Sequence, residues 1–215
     1  MVYLHGWGRD SEDWIAVSDL AGEPDLLIDL PGFGDSFTPE GPWSVRDYAD
    51  FAAEIIAHYY PAGAVIVGHS FGGKVAIAIA ARWPVLARGL VVVAGTGRWR
   101  LVHRLLAPSI RLAKRFGFFT GRFRGVDYAK SNPVMRKILA ESLNYDSFAD
   151  ARLVRCPSAF VYGLMDRTTP ASVGRKYAKA VRGAKLVELQ DYGHDSILSD
   201  GKYQVAAVIR ELRKC

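Results

Sequence analysis

The run Gly68-His69-Ser70-Phe71-Gly72-Gly73 holds one serine between glycines in the pattern G-x-S-x-G. It follows the apolar run Ala64–Val67 directly and leads straight into an amphipathic stretch. A serine hydroxyl is a weak nucleophile until a base takes its proton, and a sharp strand-to-helix turn is the setting that presents it. Such a turn has no room for side chains beside the nucleophile, which accounts for the glycines. The N–H groups opening the next helix would point toward negative charge developing on a substrate oxygen. The pattern therefore predicts nucleophilic chemistry at Ser70.

The elements that must position this serine follow from periodicity. Short apolar runs alternate with amphipathic stretches, the pattern of a parallel sheet with connecting helices. Strands are expected at Val2–Leu4, Leu26–Asp29, Ala64–Val67, Leu90–Val93, Ala159–Tyr162 and Lys185–Leu189. Helices are expected near Ser11–Leu20, Ser44–Tyr60, Phe71–Trp83, Ala171–Val181 and Ile197–Arg213. Ser44 followed by Asp47 reads as a capping box, and Pro84 stops the helix before it. From Gly95 to Pro157 no strand is expected, so this interval reads as a helical insertion. Within it, Pro108 divides helices near Trp99–Leu106 and Ser109–Phe116, and Asn132-Pro133 opens another near Val134–Leu143.

Length and composition bound the rest. With 215 residues, half of them apolar, one α/β domain over 1–215 is expected: a three-layer αβα sandwich of about six mostly parallel strands, with a lid insertion at about 96–156. The start at Met1 shows no secretory leader, and no apolar run reaches the ~20 residues of a membrane-spanning helix. The two cysteines, Cys156 and Cys215, form no metal or redox spacing, which fits a cytoplasmic location. No metal-ligand cluster and no cofactor motif is visible.

The motif and its setting resemble the α/β-hydrolase fold family over nearly the whole chain. In that family the order along the chain is nucleophile, acid, histidine. Asp166 lies in Gly163-Leu164-Met165-Asp166-Arg167-Thr168-Thr169-Pro170, similar to the family's G-x-x-D-x-x-x-P stretch; His194 lies in Tyr192-Gly193-His194-Asp195, where the family has its G-H pair. The resemblance implies that His194 relays the proton of Ser70 and that Asp166 fixes its tautomer. Leu4-His5-Gly6-Trp7-Gly8 resembles the family's H-G loop, which implies an oxyanion hole from the backbone N–H groups of Trp7 and Phe71. His5 and His69 are read as structural or orienting residues, His58 and His103 as ordinary helix residues. Asp29-Leu30-Pro31-Gly32-Phe33-Gly34-Asp35-Ser36 is similar to a loop that shapes the site in many members. Together these loops resemble those of the esterases that remove a methyl group from a pimeloyl ester on acyl carrier protein.

The chain departs from the family at its start, where two strands that usually precede the H-G loop are missing. Leu26–Asp29 is therefore expected at an exposed sheet edge. The insertion occupies the position of the family's lid. Between residues 98 and 137 it carries eleven basic side chains against one acid, Asp127, or +10 within a chain of net +6. Trp99, Leu105, Phe116 and Met165 are candidate substrate contacts. Above them the basic surface is either a solvated face or a dock for an acidic carrier protein, an anionic thioester or an anionic surface. Nucleic acid is not expected, because no binding motif accompanies the charge.

The function expected on these grounds is hydrolysis of carboxylic esters of small or medium acyl chains through an acyl-enzyme. A thioesterase uses the same groups. A lyase of the hydroxynitrile or pyruvate-eliminating type is a second reading, with Lys74, taken as a helix-surface residue, as possible help for an anionic substrate. A non-catalytic binding protein is a third. The substrate's identity and the oligomeric state are not fixed by the sequence.

Overall fold

The computed structural model describes residues 1–22, 25–97 and 132–214. Its centre is a six-stranded sheet in the order β2-β1-β3-β4-β5-β6, with every neighbouring pair parallel. The strands are β1 (Val2–Leu4), β2 (Leu26–Ile28), β3 (Ala64–His69), β4 (Ala87–Val93), β5 (Ser158–Gly163) and β6 (Lys185–Leu189). β2 is an edge, as expected. Parallel strands run the same way only if each crossover returns along a face of the sheet, so helices must cover both faces.

The alternation of side chains along the strands divides the core in two. Val2, Leu4, Ile66, Leu90, Val92, Phe160 and Tyr162 point to one face; Tyr3, Val65, Val67, Val91, Val93, Ala159 and Val161 point to the other. The first face is covered by α2 (Val45–Tyr59), α3 (Ser70–Arg82), α5 (Ser147–Ala151) and α6 (Ala171–Ala180). The second is covered by α1 (Ile15–Ala21) and α8 (Lys202–Arg213). The remaining helices, α4 (Pro133–Asn144) and the short α7 (Ser196–Ser199), add Met135 and Ile138 to the first core and Ile197 and Leu198 to the second. Among the described residues, no helix is long and apolar enough to cross a membrane.

Local chemistry sets the boundaries. α2 opens on the expected capping box, with the Asp47 N–H donating to Ser44 Oγ and the Ser44 N–H to Asp47 Oδ2. α4 opens where Asn132 Oδ1 accepts from the Met135 N–H and Pro133 occupies the first turn. Two expected helices are divided. Residues 11–14 form a 3-10 turn capped by Asp10 before α1 begins. The stretch expected at Ile197–Arg213 breaks at Asp200-Gly201, where a Cβ on Gly201 would come within 2.7 Å of the Ile197 carbonyl oxygen. α5 was not anticipated from the sequence; at five residues it is too short to show a period. The expected helices at Trp99–Leu106 and Ser109–Phe116 lie outside the described residues.

Candidate active site

β3 passes into α3 with no loop between them, and Ser70 is the first helical residue. Its φ of 51° is in the left-handed region, which only a tightly braced backbone imposes on a residue other than glycine. The flanking glycines are required by contact. A Cβ on Gly68 would lie 2.3 Å from the Gly72 carbonyl oxygen, and one on Gly72 would lie 2.2 Å from that of Leu4. The Gly72 N–H also donates to the His5 carbonyl oxygen at 3.1 Å, tying the loop after β1 to the start of α3.

Asp166 and His194 meet Ser70 from two further strand ends. Asp166 follows β5 and is 3 % exposed. Its Oδ1 accepts the N–H groups of Thr168 at 2.7 Å and Thr169 at 2.8 Å, and its Oδ2 lies 2.8 Å from His194 Nδ1. Burial opposes the negative charge, but hydrogen bonds from His194 and Thr169 outweigh it and hold the carboxyl below its ordinary range. His194 follows β6, and its Nε2 lies 3.0 Å from Ser70 Oγ. A carboxylate accepts only, so Nδ1 bears the proton in the neutral ring and Nε2 is left as a lone-pair site facing the serine hydroxyl. The three side chains are far apart in sequence and form one hydrogen-bonded line.

Two buried histidines support this line. His5 Nε2 accepts the Leu30 N–H at 2.9 Å and its Nδ1 lies 2.7 Å from the Gly6 carbonyl oxygen, so it joins the two loops beside Ser70. Burial lowers its basicity. His69 Nε2 lies 3.1 Å from the carbonyl oxygen of His194, and burial, with His194 nearby, pushes the ring down to about 3. Both are therefore neutral, hydrogen-bonded parts of the framework.

Trp7 and Phe71 lie side by side, their rings edge-to-face at 5.4 Å, with Phe33 4.9 Å from Trp7. Phe71 is the second residue of α3, whose first N–H groups have no partner inside the helix. A cleft of about 370 Å³ opens beside them, lined by Trp7, Arg9, Phe33, Thr38, Asn132 and Met135 among others. Sequence reading did not single out Met135, although it falls on the expected lid helix. Met165, one of the expected substrate contacts, is 60 % exposed beside Asp166 and is not among the residues lining this cleft. The other three, Trp99, Leu105 and Phe116, lie outside the described residues, as does most of the basic stretch. Among the described residues, no group of three or more His, Cys, Asp or Glu side chains is arranged to hold a metal ion.

Lys74 corrects an expectation. It is 1 % exposed rather than on a helix surface, and its ammonium donates to the Ser142 carbonyl oxygen near the end of α4. Burial pushes it down to about 8. The periodicity of α3 shows which face meets the sheet but not that a later segment covers the opposite face.

Residues 1–208 match the alpha/beta hydrolase family. The chain belongs to that family. Among its relatives is the pimeloyl-[acyl-carrier protein] methyl ester esterase of Chromobacterium violaceum, 28% identical over 242 residues, covering 99% of this chain and 93% of the relative. The enzyme of the same name from Neisseria meningitidis serogroup B (strain MC58) is 31% identical over 245 residues, covering 98% and 91%. A solved thermophilic esterase from Thermogutta terrifontis shares the alpha/beta hydrolase fold with a TM-score of 0.76 at 22% identity, covering 99% of this chain and 89% of that one. These two relatives, each matched over more than nine tenths of its length, are named as esterases.

Proposed function

We propose that this protein hydrolyses carboxylic esters of small or medium acyl chains through an acyl-enzyme on Ser70. The observation that carries the reading is the line from Ser70 Oγ to His194 Nε2 at 3.0 Å and from His194 Nδ1 to Asp166 Oδ2 at 2.8 Å. Ser70 Oγ attacks the ester carbonyl carbon while its proton passes to His194 Nε2, and Asp166 stabilises the imidazolium that forms. The carbonyl π bond becomes a negative oxygen, received by the backbone N–H groups of Trp7 and Phe71. The tetrahedral adduct collapses, the C–O bond to the alcohol breaks, and His194 gives its proton to the departing oxygen. Water then repeats the sequence: His194 takes its proton, hydroxide oxygen bonds the acyl carbon, and Ser70 leaves with the proton returned.

The similarity to esterases named for a pimeloyl methyl ester on acyl carrier protein supports an acyl chain presented on an acidic carrier as the physiological form. The +10 charge of residues 98–137 supplies the complementary sign.

A chain-length series of p-nitrophenyl esters, hydrolysed by the protein and by Ser70→Ala prepared identically, tests the chemistry. Loss of about 10⁶ in kcat is expected, as where such residues act as a unit. Activity retained by the folded variant would sink the reading. For the carrier, KM should rise with salt while kcat holds, because exposed charges are screened within about 10 Å at 0.1 M.

A further inference from the structure

Thr169 Oγ1 has three polar neighbours. It lies 2.6 Å from Asp166 Oδ2, 3.0 Å from the carbonyl oxygen of Ala94 and 3.0 Å from His194 Nδ1. The residue is 1 % exposed, so no water competes for its hydroxyl. Ala94 follows the end of β4 and is held at φ 48°, which shows that the surrounding structure fixes the backbone at this point.

One hydroxyl has one proton and cannot donate to both oxygens. The carboxylate is the stronger acceptor, and 2.6 Å falls in the range of a charge-assisted O–H···O⁻ bond, whereas 3.0 Å is long for a hydroxyl on a carbonyl. We infer that Thr169 is a positioning residue for the base, donating its proton to Asp166 Oδ2, the oxygen that also receives His194 Nδ1–H, and so weakening the hold of that oxygen on a protonated imidazole. The inference rests on the reading of Ser70, His194 and Asp166 as the reacting groups.

The consequence is electrostatic. Thr168 N–H and Thr169 N–H already occupy Oδ1, so the carboxylate takes four donors in all, two on each oxygen. Spreading its charge over four donors leaves less for the imidazolium. A hydroxyl-free Asp166 would hold the imidazolium more strongly, so that more of the enzyme would carry a protonated, inactive base at a given pH.

Among the described residues, further titratable groups stand near His194. His69, from the end of β3, stands with its ring 4.9 Å away and is neutral, burial having pushed it to about 3. Arg9, from the loop after β1, pairs with Asp13 and, at 3.4 Å, with Asp195 beside His194. Substitution at Thr169 leaves all of these residues in place.

Thr169→Val and Thr169→Ala remove the hydroxyl, Thr169→Ser keeps it, and two hydroxyl-free variants give the comparison even if one fails to fold. The pH dependence of kcat/KM on a p-nitrophenyl ester, from about pH 5 to about pH 9, is measured beside Ser70→Ala. The midpoint of the rising limb should move up by about half a pH unit or more in the valine and alanine variants, which is roughly a threefold loss on the acid side. The plateau at high pH should stay within about threefold of the parent, and serine should restore the parental midpoint. An unmoved midpoint overturns the inference, and so does a lowered one, which would place the proton on the Ala94 carbonyl. Parental activity in Ser70→Ala would instead overturn the underlying reading, and the inference with it.

Discussion

His69 Nε2 donates to the backbone carbonyl of His194 across 3.1 Å, so the residue before the serine holds the loop that carries the facing imidazole. The other ring nitrogen, Nδ1, is buried with no hydrogen-bond partner among the described residues. His69→Phe should therefore lower kcat by about tenfold, or about 1.4 kcal/mol, through loss of that tie. Its unfolding free energy should stay within about 1 kcal/mol of the parent, because the substitution also removes an unsatisfied buried nitrogen. His69→Gln, with an N–H at similar reach, should recover most of the rate. Kinetics and urea unfolding on the three proteins check this, and equal rates would show that the carbonyl contact is incidental.

Lys74 gives a pH dependence of stability rather than of rate. Its ammonium is buried against the Ser142 carbonyl, and burial lowers it from 10.5 to about 8 in the folded protein. Between about pH 8 and 10.5 the unfolded chain binds more protons than the folded one, so stability rises with pH across that window. Below it the full penalty of the buried charge is present, roughly 3 kcal/mol. Lys74→Met has no such penalty. Its stability advantage over the parent should be greatest below pH 8 and shrink as pH rises toward 10, as read by denaturant midpoints; a difference independent of pH would mean that the ammonium is not buried in solution.

Asp166 bears on the tautomer of His194. An amide at this position can turn its NH₂ toward Nδ1 and force the ring proton onto Nε2, the nitrogen that accepts from Ser70 in the proposed reaction. Asp166→Asn should lower kcat by about 10³–10⁴ with KM little changed, which steady-state kinetics on a p-nitrophenyl ester would show. A loss confined to KM would place Asp166 in binding rather than in the relay.

Much of this arrangement is legible in the sequence, and the limits have physical causes. Most of the strands are readable because a parallel sheet buries both faces and yields short unbroken apolar runs, as in Ala64–Val67 and Leu90–Val93, whereas the edge strand β6 carries Lys185 and Glu188 and has only Leu186, Val187 and Leu189 to mark it. Ser70, Asp166 and His194 are readable because each follows a strand in a stretch with a recognisable pattern. Thr169 and Lys74 are not, since their significance depends on contacts with Ala94 and Ser142, 75 and 68 residues away along the chain. Gly201 reads as an ordinary helix residue until the bend shows which carbonyl its missing side chain must pass.

Gly72 makes the geometric demand of the turn from β3 into α3 measurable. The loop after β1 packs so closely on α3 that the Gly72 N–H reaches the His5 carbonyl, and a Cβ would lie 2.2 Å from the Leu4 carbonyl oxygen and 2.5 Å from that of His5. Both obstacles are main-chain atoms of β1 and its loop, so no side-chain rotation relieves them. Gly72→Ala must move α3 away from β1, breaking that hydrogen bond and displacing Ser70 from His194. A loss of about 3 kcal/mol or more in unfolding free energy is expected, with kcat reduced in whatever fraction folds. Gly22→Ala is the comparison, because space around that residue is open and its φ of 70° is the only cost. It should destabilise by about 1 kcal/mol and leave kcat unchanged. Equal effects at the two positions would mean that the helix and the loop are not in close contact in solution.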